Sequence, residues 1–161
     1  MKNNKITKVL IALDYDKTAQ KVAETGFAMA KAMNAEVILL HVVSDPVYYS
    51  SMEFSPIMGY TGNMENIQLD SDSVDGLKKA SQQFLDRLKL HLGDDMIQTQ
   101  VKEGEFAETI LKAAKALHVD IIVMGSHSRK WLENIVMGSV TEKVLHQTSI
   151  PLFIIPTKYK R

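Results

Sequence analysis

The sequence predicts an α/β fold: a parallel sheet of five strands with four helices packed on its faces. Three observations carry that expectation. Short apolar runs recur along the chain, stripes of helical period fill the gaps between them, and the two kinds of segment alternate. Connections that each hold a helix are of crossover length, which suits parallel pairing. At 161 residues the chain has single-domain size, and one domain spanning 1–161 is expected.

In chain order, the first strand is Val9–Leu13, a continuous Val, Ile, Leu and Ala run. Ala19, Val22, Ala23, Gly26, Phe27 and Ala30 follow at three-and-four spacing, the stripe of a helix with one buried face. Val37–Val43 is the second strand, and its near-continuous apolar character is that of a strand covered on both sides. Residues 44–73 then break the rhythm with Pro46, Pro56, Gly59 and Gly62, so a long loop is expected. Its Tyr48, Tyr49, Met52, Phe54, Met58, Tyr60 and Met64 suit either cover for a ligand or partner, or packing on their own domain. Asp70 and Asp72 stand where a helix dipole favours negative charge.

Leu77, Ala80, Phe84, Leu85 and Leu88 mark the second helix. Ile97–Val101 alternates apolar with polar residues and is expected nearer a sheet edge. Ala107, Ile110, Leu111, Ala114 and Leu117 give the third helix, and Ile121–Met124 the fourth strand. Val140, Val144 and Leu145 form a shorter helical stripe before the last strand, Leu152–Ile155.

Composition narrows the function classes. Nineteen basic residues balance nineteen acidic ones, so no overall field draws in nucleic acid or an anionic membrane. The apolar runs fall far short of the roughly 20 residues of a membrane-spanning helix. There is no cysteine and no apolar run in Met1–Thr7, so a cytoplasmic protein without a signal peptide is expected. No Gly-x-x-x-x-Gly-Lys-Ser/Thr loop occurs, and no Gly-x-Gly-x-x-Gly follows the first strand. His41, His91, His118, His127 and His146 lack zinc-ligand spacing, and no nucleophile–base pair stands out. No catalytic residue and no protein metal site are expected.

The informative segment begins where the fourth strand stops, at Met124-Gly125-Ser126-His127-Ser128-Arg129-Lys130, and closes at Gly138-Ser139-Val140-Thr141-Glu142. Ser139 with Glu142 has the spacing of a capping box, with serine at the cap. A helix start offers free backbone N–H groups and a positive dipole end, which suit a phosphate. Gly125 permits a tight turn or a close approach of the backbone to a ligand.

This segment resembles the signature of the universal stress protein family: Gly-x-x-Gly, nine residues, then Gly-Ser or Gly-Thr. The gap Arg129–Met137 and the closing Gly138-Ser139 match, while Ser128 stands where the second glycine is found. If that position requires a positive φ, serine brings strain; if only its N–H is used, serine still donates. Val140–Pro156 reads as the family's last helix and strand. Val9–Asp14, Leu39–Val42, and Glu103-Gly104 with Ile110 extend the similarity over nearly the whole chain.

The resemblance implies a Rossmann-like, doubly wound sheet of the adenine nucleotide alpha hydrolase kind, in order 3-2-1-4-5. It implies ATP as ligand, with ADP or AMP as variants and Mg accompanying the ATP. Position by position, it makes Asp14 the acceptor for ribose hydroxyls, although an Asp here also suits a cap of the first helix. Ala12 would line the adenine pocket, and Val42 would meet the adenine edge through its backbone. Met124 leads into the phosphate loop of Gly125, Ser126, His127, Ser128, Arg129 and Lys130. Gly138, Ser139 and Val140 would add N–H groups and a hydroxyl.

The expected function is a nucleotide-dependent regulatory module of the stress response, with an unidentified protein partner. The alternatives are a stress protein acting through its dimer surface without nucleotide, and a slow ATPase or autophosphorylating protein. A homodimer through Leu152–Ile155 is implied by the resemblance, and the strand itself is apolar and bounded by Pro151 and Pro156.

Overall fold

The computed structural model describes residues 5–44, 74–126 and 137–157. The loop at 45–73, with its aromatic and methionine residues and with Asp70 and Asp72, lies outside them, as do 127–136 and the tail 158–161. The elements are β1 (Lys8–Ala12), α1 (Ala19–Ala32), β2 (Glu36–Val43), α2 (Val74–Leu92) and β3 (Gln98–Glu103), then α3 (Phe106–Ala116), β4 (Ile121–Gly125), α4 (Ser139–Gln147) and β5 (Leu152–Ile155). All pairings are parallel and the order is β3-β2-β1-β4-β5. This is the doubly wound 3-2-1-4-5 sheet that the resemblance implied, and the alternating strand β3 stands at an edge.

Two apolar layers sandwich the sheet. On one face Val9, Ile11, Val37, Leu39 and Val123 meet Val22 and Ala23 of α1 and Phe84, Leu85 and Leu88 of α2. On the other, Leu10, Ala12, Leu40, Val42, Ile122 and Met124 meet Ile110 and Ala114 of α3 and Val144 of α4. Alternate residues of each central strand feed opposite layers, which is why those strands read as unbroken apolar runs. Gly26 lets α1 lie close on the sheet, because a Cβ there would stand 2.9 Å from Ile11 Cδ1 and 3.1 Å from Val123 Cγ1.

The stripe expected of the last helix needs one correction. Thr141 and Val144 are its buried residues, Val140 is partly buried, and Leu145 is exposed. One residue is a turn of about 100° on a helix, enough to carry Leu145 off the sheet-facing side.

The N-terminal end of β1 is fixed by Asp120, whose Oδ2 accepts from Thr7 N (2.8 Å), Thr7 Oγ1 (3.0 Å) and Lys8 N (3.0 Å). The Thr7 N–H does most to hold this carboxyl below its ordinary pKa, against the opposing effect of burial. Among the described residues no helix is long and apolar enough to cross a membrane.

Candidate functional site

Chain direction places the site. From β1 the chain turns to the α1 face, whereas β4 leads to α4 on the opposite face. Because β1 and β4 are neighbours, their C-terminal ends bound the crevice where the winding reverses, the usual ligand position of open parallel sheets. Ile11 pairs with Val123 and Ala12 with Leu40, so continuing both registers brings Asp14 level with Ser126 on one side and Val42 on the other.

The β1 exit is closely fastened. Leu13 N donates to Leu40 O (2.9 Å), and Leu13 O accepts from His41 Nδ1 (2.8 Å). Asp14 is exposed, and its Oδ1 accepts from Tyr15 N at 2.9 Å. Asp16 Oδ1 accepts from the N–H and the hydroxyl of Thr18, the N-cap of α1. The cap of α1 is therefore Thr18, four residues after Asp14, which removes the helix-capping alternative for Asp14.

At the β4 exit, Gly125 is needed for packing: a Cβ would stand 2.9 Å from Val22 Cγ2 and 3.1 Å from Thr157 Cγ2. Ser126 N donates to Ile155 O (2.9 Å), and Ser126 Oγ accepts from Thr157 N (3.0 Å). The chain returns to the same point, since Gly138 N donates to Ser126 O (3.1 Å) and Thr141 Oγ1 to Gly125 O (2.9 Å). Ser126 and Gly138, which flank residues 127–136, are thus joined. His127, Ser128, Arg129 and Lys130 lie outside the described residues.

The capping box is corrected by one residue. Gly138 is the N-cap, extended at φ −69° and ψ 155°, and its carbonyl accepts from Glu142 N (2.9 Å). Ser139 is the first helical residue, and no side chain caps the helix. Since Gly138 N is already donated, the N–H groups lacking an intrahelical acceptor are those of Ser139, Val140 and Thr141. They carry the positive end of the helix dipole.

Ala12, Val42 and Met124 are buried on the α3–α4 side, leaving their side chains little open surface. Sequence reasoning missed Thr141, Thr157 and His41, which brace the site from elements far apart in the chain. Only Thr141 carried a local signal, three residues into the helix start. A depression of about 380 Å³ lies at the C-terminal end of β3, lined by Lys102, Glu103, Glu105, Glu108 and Lys112 among others. Its mixed charges favour neither anion nor cation, and it contains none of the sequence-nominated residues. No group of three or more metal-ligating side chains occurs among the described residues.

An exposed carboxylate at one strand end and a helix start whose first N–H groups lack an intrahelical acceptor suit a ligand that carries both hydroxyls and an anion. Comparison with known proteins identifies the family. The model of the family described as "Universal stress protein family" matches residues 5–156. Universal stress protein MJ0577 of Methanocaldococcus jannaschii is 30% identical over 156 residues, covering 94% of this chain and 95% of its own. The solved structure of MJ0577 superposes with a TM-score of 0.69 at 27% identity, covering 97% of this chain and 99% of that one. A universal stress protein in complex with cAMP superposes with a TM-score of 0.61 at 16% identity, covering 96% of this chain and 99% of that one. The universal stress protein of Archaeoglobus fulgidus in complex with dAMP gives 0.59 at 15%, covering 94% and 98%. These last two likenesses speak for the fold.

Proposed function

The chain belongs to the universal stress protein family, and we propose that it binds ATP at the β1–β4 crevice and acts as a nucleotide-dependent regulatory module. One observation carries this reading. The β1 exit with Asp14 and the joined ends of the β4–α4 connection emerge side by side, and each supplies what the other lacks. Asp14 is an acceptor for the two ribose hydroxyls. The N–H groups of Ser139, Val140 and Thr141 donate to phosphate oxygens, and the dipole of α4 adds its positive end. Val42 meets the base through its backbone, and Mg accompanies the phosphates. The cAMP and dAMP held by two proteins of the same fold support an adenine nucleotide as the ligand class.

A regulatory output follows from the connections of Ser126. It joins the start of α4 through its carbonyl, the end of β5 through its N–H and the segment after β5 through its hydroxyl. Phosphate at α4 would stiffen this junction, and with it the edge strand β5, where Phe153 is 42% exposed. A second copy pairing along Leu152–Ile155 would cover that edge.

Mass spectrometry of the denatured, purified protein tests the reading: ATP or ADP is expected in the released fraction. Absence of nucleotide there, together with no heat on titration with Mg-ATP, would refute it.

A further inference from the structure

His41 is buried at the C-terminal end of β2, 2% exposed. Its Nδ1 lies 2.8 Å from Leu13 O. A carbonyl oxygen can only accept, so Nδ1 carries the proton and donates. The same ring meets Tyr15 edge-on, with centroids 4.3 Å apart, and Phe84 of α2 packs on both, 4.6 Å from Tyr15 and 6.1 Å from His41. The residues immediately before and after Asp14 are therefore both held by one imidazole. Leu13 is held through its carbonyl, Tyr15 through its ring.

A peptide carbonyl held in one direction fixes the plane of its own peptide unit, and here that unit runs from Leu13 Cα to Asp14 Cα. Asp14 in turn accepts from Tyr15 N, so its carboxylate direction depends on where Tyr15 sits. Neither restraint comes from the sheet ladder, which delivers only the Leu13 N–H to Leu40 O. On the nucleotide reading above, we propose that His41 is the positioning residue of the site: it sets the direction in which Asp14 presents its carboxylate to the ribose.

Of the two restraints, the hydrogen bond to Leu13 is the one that substitution can isolate. Asparagine offers a side-chain N–H at nearly the same reach from its backbone, whereas leucine fills the space without a donor. His41→Leu and His41→Asn thus separate hydrogen bonding from packing.

The test compares the full-length protein with both variants in two measurements: amide exchange at Leu13, and binding of ATP against 2′,3′-dideoxy-ATP, which lacks the hydroxyls that Asp14 accepts. For His41→Leu the Leu13 amide is expected to exchange at least about ten-fold faster, with Leu39 and Val123 unchanged. Its ATP affinity is expected to fall about ten-fold, with dideoxy-ATP affinity unaltered. His41→Asn, which keeps the donor but not the ring, should restore Leu13 exchange and recover most of the ATP affinity. Equal loss for ATP and dideoxy-ATP would overturn the proposal, because His41 would then support the fold rather than aim the carboxylate. Unchanged Leu13 exchange in His41→Leu would overturn it too. If the parent protein binds neither nucleotide, the nucleotide reading and the ribose role of His41 fall together. Leu13 exchange then still shows whether His41 holds the β1 exit, which separates the two failures.

Discussion

At the end of β4 the backbone of Gly125 is crowded by the protein itself. A glycine leaving a buried strand suggests a turn or a close approach to a ligand, whereas the contacts that exclude a Cβ here are with Val22 of α1 and Thr157. Nothing near Gly125 in the chain announces this, because Val22 lies in the first helix. Gly125→Ala should therefore destabilise the fold by about 1–3 kcal/mol. Adding Val22→Ala should recover much of that, as read from urea denaturation. Asp120 makes a different single-residue prediction. Its folded pKa is lowered, so the stability it contributes is present above the ordinary carboxylate range and is lost as pH falls through the lowered value. Asp120→Asn should lower stability at pH 7 by about 1–2 kcal/mol and flatten the loss below about pH 4, in denaturation curves taken across that range.

Among the elements, α4 is the one on which the site turns. Gly-Ser before an apolar stripe announces a helix start, but both residues are good cap formers, so the boundary is ambiguous by one position. The structure resolves it to Gly138, whose extended backbone and carbonyl serve as the cap. The other elements were legible where burial is two-sided, as in Val37–Val43, or where polar alternation marks an edge, as in Ile97–Val101. What the sequence could not show are the links across elements: Thr141 to Gly125, Ser126 to Thr157 and His41 to Leu13. Each joins residues whose meeting depends on strand order, which periodicity does not encode. Thr141→Val keeps the shape of the side chain and removes the hydroxyl that binds Gly125 O. It should cost about 1 kcal/mol in stability and weaken ATP binding several-fold by calorimetry, because the helix start would no longer be anchored to the strand end.

At the scale of the whole molecule, the winding reversal between β1 and β4 brings chemistry together from distant parts of the chain. Asp14 stands before the first helix and Ser139 at the start of the last, yet both belong to one crevice because β1 and β4 are neighbours. A site of this kind needs no catalytic base. It needs one acceptor, a few donors and a helix dipole. The central claim is binding of adenine nucleotide at that crevice, and a backbone NMR titration of the full chain with Mg-ATP tests it most directly. Saturable shifts are expected at the amides of Asp14, Ser126, Ser139, Val140 and Thr141, with Gly93 and Asp95 at the opposite end of the sheet unmoved. No saturable shift, or shifts gathered around β3 and the start of α3 with the crevice silent, would contradict it.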